Sequence, residues 1–264
     1  MNVSLNALQL TSAYFIASVM FLLIILFNMA GHAYRRRRIR LNPDHVKLEL
    51  GTVNGILLGM LGLLLAFTFG MSNDRYNKRR DLIIEEANNI GTAILRADLY
   101  PDSTRNLFRK NFKIYVEARI GYYSVGNNFD AVIRHYLEAD SVGRVLWNIA
   151  TTDARVNNVV VRSGQMIPAL NAVIDITTTR RSAGESTIPN SIMYFLFTLA
   201  LCCSFLIGYD TKGLSDRIVT LGFATILSIT IFMIVDLDRP RSGLINLDVA
   251  SEKIVELRGL LTGP

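Results

Sequence analysis

Four stretches of this chain carry no Asp, Glu, Lys or Arg: residues 1–34, 50–73, 186–209 and 218–235. A hydrocarbon layer about 30 Å thick is crossed by roughly 20 apolar residues in a helix, and each block is long enough or nearly so. In lipid a spanning segment must satisfy its own backbone, so each block is expected to be a helix. The expected organisation is TM1 at 8–33, a basic linker at 34–49, TM2 at 50–73 and a helical extramembrane domain at 74–185. TM3 at 188–209, TM4 at 214–235 and a polar C-terminal tail at 236–264 complete it. The fold class is an all-α integral membrane protein with four transmembrane helices and a helical domain inserted between helices 2 and 3.

The first block does not read as a cleaved signal, which wants positive charge before its apolar core. Here Arg35, Arg36, Arg37, Arg38 and Arg40 follow the apolar run. The net charge of +6 is concentrated there and at Arg75, Lys78, Arg79 and Arg80, beside the second block. Basic clusters at membrane edges attract anionic lipid headgroups and set orientation, so lipids rather than nucleic acid are the expected partners. Cys202 and Cys203 are adjacent within the third block and cannot staple distant segments.

The second block, GTVNGILLGMLGLLLAFTFG, bears a stripe of small residues: Gly51, Gly55, Gly59, Gly62, Ala66 and Gly70. Its steps of four, four, three, four and four are wider on average than one helical turn, which suits a right-handed helix crossing. Thr220, Ala224 and Ser228 on the fourth span form a second small-residue row and a candidate partner. The alternative is a pore wall, with Asn54 widening a wet path. Leu64, Leu65 and Phe67 then become candidates for an apolar neck that gates by dewetting; as plain lipid-facing residues they need no such role.

Residues 74–185 are periodic. Tyr76, Arg80, Ile83, Ala87, Ile90, Ile94 and Ala97 alternate at steps of four and three, a helical seam that extends the second span as one rod. Asp98-Leu-Tyr-Pro ends it, and Asp102 or Ser103 can cap the next helix. Gly126-Asn-Asn marks a turn, a short helix is expected near 129–138, and a longer one from about Ser141 to Arg180 that Pro168 kinks or splits. Glu85 and Glu86 read as a solvated pair. At the exit of the fourth span, Asp236, Asp238, Arg239 and Arg241 crowd the interface. They form a self-neutralising helix stop, or else a charged vestibule, or a clamp onto Arg75, Arg79 or Glu85. No catalytic constellation, metal spacing or nucleotide fingerprint is present, so no enzymatic activity, cofactor or metal is expected.

Asp74, Arg75, Tyr76, Arg80, Leu82 and Asn88 match, without a gap, a motif that follows the second helix of bestrophin anion channels. EEANNIGTA at 85–93, LNAVIDITTTRR at 170–181 and DLDRPRSG at 236–243 are similar to the hallmarks of the bestrophin-like membrane proteins. The resemblance implies a homo-oligomer (a pentamer in bestrophins) that conducts small anions, with the second helix along the pore. Arg75, Arg79, Arg80, Glu85 and Asn88, on the helix that continues the second span, are candidate vestibule residues. The acidic calcium clasp of animal bestrophins has no counterpart, so calcium gating is not implied. The other reading is a non-conducting membrane scaffold or sensor whose helical domain binds a protein. The expected location is the cell (inner) membrane, multi-pass. Charge bias and resemblance disagree on which side holds residues 74–185.

Overall fold

The computed structural model describes residues 11–41, 51–126, 128–210, 214–239, 243–245 and 247–262, with backbone alone at 214–217. Nine α-helices are described: α1 Ala13–Leu41, α2 Gly51–Arg96, α3 Asp102–Ser124, α4 Phe129–Val156, α5 Val160–Glu185, α6 Asn190–Asp210, α7 Leu214–Leu237, α8 Asp248–Glu256 and α9 Arg258–Leu261. No strand occurs among the described residues. Four of the helical stretches are long and apolar enough to cross a membrane. The chain divides into two compact units, residues 1–75 with 187–239, and 76–186 with 240–264.

The first unit gathers α1, the N-terminal part of α2, α6 and α7 around one apolar cluster. Ile16, Met20 and Ile24 of α1 meet Leu196, Ala200 and Cys203 of α6 and Ala224, Leu227 and Ile231 of α7. The tightest crossing joins α1 to α6. A Cβ on Gly31 would stand 2.0 Å from the Phe205 carbonyl oxygen, and one on Gly208 would stand 2.0 Å from that of Asn28. Two absent side chains therefore let the backbones touch, the small-residue route to helix association in lipid. Polar groups lock the contact: Asn28 Nδ2 donates to the Ser204 carbonyl at 3.3 Å, and Ser204 Oγ to that of Ile24 at 2.6 Å.

In the second unit the C-terminal part of α2 buries Ile83, Ala87, Ile90, Ala93, Ile94 and Ala97. Against them pack Phe108, Phe112 and Tyr115 of α3, Leu146 and Ala150 of α4, and Met166, Leu170 and Val173 of α5. Pro101, not Asp102 or Ser103, is the N-cap of α3, and no side chain caps it. Asp102 instead occupies the first turn, where its charge suits the helix dipole. Asn128 caps α4 by accepting from the Ala131 amide at 3.2 Å.

α4 runs unbroken through residues 139–140, so no separate short helix ends there. The break falls at 157–159, where Asn158 takes φ +47, a left-handed conformation that Asn tolerates better than most residues. Pro168 stays inside α5, which does not split. The polar tail is structural as well. Ala250, Ile254 and Leu257 join the core, and Arg258 binds Glu117 through two contacts of 2.7 Å.

Candidate functional site

Within the first unit, α2 turns Leu61, Thr68 and Ser72 inward, and Leu57, Leu64 and Leu65 pack partly against the same cluster. Leu64 and Leu65 are thereby committed to the chain's own core. Phe67 points away, 65% exposed. The glycine stripe also faces outward: Gly51, Gly55, Gly59, Gly62 and Ala66 are exposed and Gly70 is partly so. A Cβ at any of those five glycines would meet nothing within 4 Å. The stripe therefore does not seat the row Thr220, Ala224 and Ser228, which is buried within the bundle. The expected pairing fails because Leu57, Leu61, Leu64 and Leu65 are the α2 side chains that interdigitate with the first unit's cluster, which leaves the small residues on the other face.

The open side of α2 carries two adjoining bands, one small and one bulky. The bulky band is Val53, Ile56, Met60, Leu63 and Phe67, all exposed. At 100° per residue, Thr52, Ile56, Gly59, Leu63, Ala66 and Gly70 lie within about 40° of the direction opposite Leu61. Asn54 is engaged rather than facing an open path, since its Nδ2 donates to Asp210 Oδ2 at 2.7 Å. Arg35 reaches the same helix end, donating to the Tyr209 and Asp210 carbonyls at 3.2 and 3.1 Å. A cation on the last carbonyls of α6 suits the negative end of its dipole.

A charged belt lies at the other end of this unit. Arg75 Nη1 sits 3.4 Å from Asp238 Oδ1. Asp238 also accepts the Ile188 amide at 3.0 and 3.2 Å, at the entry to α6. Ser72 Oγ donates to the Ile234 carbonyl at 3.0 Å, Asp236 is fully buried, and Arg239 donates to the Thr11 carbonyl. The clamp onto Arg75 is present; Arg241 lies outside the described residues.

In the second unit the candidate residues separate. Arg79 is buried and donates to the Ala183 and Ser186 carbonyls at 3.1 and 2.6 Å, closing the end of α5. Arg80 pairs with neighbouring Asp81 at the surface, and Glu85 and Asn88 are exposed. Glu86 has 0% exposure and is the centre of a charge cluster. Arg119 of α3 bonds one of its oxygens at 2.5 Å, and Arg180 of α5 pairs with the other. Tyr123 Oη donates to that second oxygen at 2.9 Å. Both guanidiniums lie over tyrosines, Arg119 at 4.6 Å from the Tyr122 centroid and Arg180 at 4.5 Å from that of Tyr123. Burial works most strongly against the charge of Arg119, but Glu86 together with Tyr115 and Tyr122 outweighs it, so the pKa is raised. Burial likewise pushes the Tyr115 hydroxyl up. The cluster joins two of the quoted motifs, Glu86 from EEANNIGTA and Arg180 from the TTTRR end.

Reading Glu85 and Glu86 as one solvated pair missed this. The signal was available, because Arg79, Ile83, Glu86, Ile90, Ala93 and Ala97 step by four and three and all are buried. Ala200, Ser204 and Gly208, at steps of four, likewise announce the α1–α6 crossing. No group of three metal-binding side chains occurs among the described residues.

Residues 21–251 match the Bestrophin-like domain. The chain belongs to the bestrophin-like family. Two crystal structures of a bacterial bestrophin homologue from Klebsiella pneumoniae share its fold, one a single-substitution variant and the other phased by Zn-SAD. Both are 12% identical to it. The variant has a TM-score of 0.73 and covers 96% of this chain and 99% of its own. The other has a TM-score of 0.71 with coverage of 93% and 98%. A crystal structure of a membrane protein, also a single-substitution variant, is 11% identical with a TM-score of 0.73 over 94% and 99% of the two chains. No curated protein matches the sequence significantly. At such identities the structural likeness is one of fold, and this bestrophin-like chain is an all-helical membrane protein on that fold.

Proposed function

We propose that copies of this bestrophin-like protein assemble in the cell (inner) membrane into a ring that conducts small anions along α2. The observation that carries this reading is the open side of α2. A spanning helix that leaves a small band and a bulky band unpacked is half an interface, and a single chain does not enclose a path. In a ring, the small band of one α2 receives the flank of the next at Val53 and Met60, a head-to-tail contact that closes by rotation and leaves Leu63 and Phe67 nearer the axis. The direction opposite Leu61 then faces the axis, and Leu63 with Phe67 supplies the apolar neck in place of Leu64 and Leu65. Such a constriction excludes water when narrow and passes ions when widened. The net charge of +6 favours anions near the mouths. Anionic lipid headgroups are proposed as the surrounding partners, and five is the copy number that the bestrophin resemblance suggests.

The test is purified protein in liposomes, read by chloride efflux, with subunit number from native mass spectrometry. Phe67→Ala is expected to raise efflux several-fold with the ring intact, because the neck widens. Gly59→Leu is expected to reduce assembly or block efflux. Intact rings without efflux at any voltage or pH would overturn conduction and favour the scaffold or sensor.

A further inference from the structure

We propose that Arg36, Arg37 and Arg40 form the headgroup site of an anionic phospholipid whose acyl chains lie along the outer face of α1. This rests on α1 spanning the membrane, not on conduction by α2. The five arginines at 35–40 are not one undifferentiated cluster, because α1 continues as a helix to Leu41 and sorts them by face. Arg35 points inward to the last carbonyls of α6, and Arg38 Nη1 donates to Tyr209 Oη at 3.4 Å. Arg36, Arg37 and Arg40 are exposed, and no hydrogen bond or ion pair among the described residues engages them.

At 100° per residue these three fall within an arc of roughly 100°. Leu22, Leu26, Met29 and Ala33 fall in the same arc, about one to four turns back from Arg36 toward the membrane. Leu22, Leu26 and Met29 are 65%, 58% and 63% exposed. The buried face of α1, from Ile16 through Ile24 to Gly31, lies on the opposite side. An apolar track thus runs straight into three guanidiniums that no other described residue engages, which matches a phospholipid in both length and polarity. Arginine suits this position because its planar fork binds phosphate through two parallel N–H donors. Charge alone would attract any anion; the track below it selects one with acyl chains.

The test is native mass spectrometry of the full chain released from mixed micelles of phosphatidylglycerol and phosphatidylcholine in equal amounts. Wild type should retain phosphatidylglycerol preferentially, and Arg40→Gln should lower the preference by about fivefold, the effect of one basic residue near an anionic surface. The triple variant R36Q/R37Q/R40Q should bind both lipids equally. Arg35→Gln should keep the preference, since Arg35 serves α6. Added inorganic phosphate should not displace the lipid. Equal binding by wild type, an unchanged preference in the triple variant, or displacement by phosphate would each overturn the proposal. The readout needs no flux, so failure of the channel reading leaves it intact.

Discussion

Replacing Glu86 by Gln keeps the shape of the side chain and removes only its charge. In the native structure that carboxylate is fully buried and holds Arg119 and Arg180 together, with Arg119 itself 2% exposed. Glu86→Gln leaves the buried Arg119 and the partly buried Arg180 facing one another across a neutral amide. Breaking a buried ion network by removing one partner costs about 3–5 kcal/mol, mostly the penalty of uncompensated charge. At roughly 2–4 °C per kcal/mol for a chain of this size, melting should fall by about 6–20 °C. The single tryptophan of the sequence, Trp147, packs against the core of the same unit, so its fluorescence reports that unit's melting. The control is the triple replacement Glu86→Leu, Arg119→Met and Arg180→Met, which removes every charge together. Replacing a whole buried ion network by apolar residues is often neutral or stabilising, so the triple variant should melt well above Glu86→Gln. A Glu86→Gln melting point within about 2 °C of wild type would refute the reasoning, and so would a triple variant as unstable as the single.

Gly31→Ala places a methyl group against the Phe205 carbonyl and should force α1 from α6, costing about 1–3 kcal/mol or more as overpacking. Thermal melting in detergent checks this, and Gly55→Ala, which meets open space, should leave the isolated chain's stability unchanged. Tyr100→Phe removes a buried hydroxyl with no hydrogen-bond partner among the described residues, so stability at neutral pH should hold or rise slightly. The Tyr100 pKa is pushed up to about 12, chiefly by burial and then by Asp153. The folded state therefore holds the proton more tightly than the unfolded one. Its contribution is complete below the ordinary tyrosine value of 10.0 and is lost as pH rises toward about 12. Melting measured across that range should decline less steeply in Tyr100→Phe than in wild type.

The sequence by itself determined that four charge-free blocks become membrane helices. Transfer from water to lipid is a sum over local composition, and the backbone in lipid has no alternative but to bond within itself. The helical seam of the second unit was legible for the same local reason, since periodicity is written in neighbouring residues. The facing of each helix was not. The glycine stripe looked like the packing surface, yet Gly31 and Gly208 make the close crossing, through partners more than 170 positions apart such as Asn28 and Ser204. Glu85 and Glu86 are consecutive and chemically identical, and only the approach of α3 and α5 made one a surface charge and the other a buried hub. The five arginines after the first span were visible at once, but their division into two that meet the end of α6 and three that no other described residue engages needed the helix to be built. Composition decides where a segment resides; which of its faces meets protein is a pairwise property of distant segments, and tertiary structure decides it.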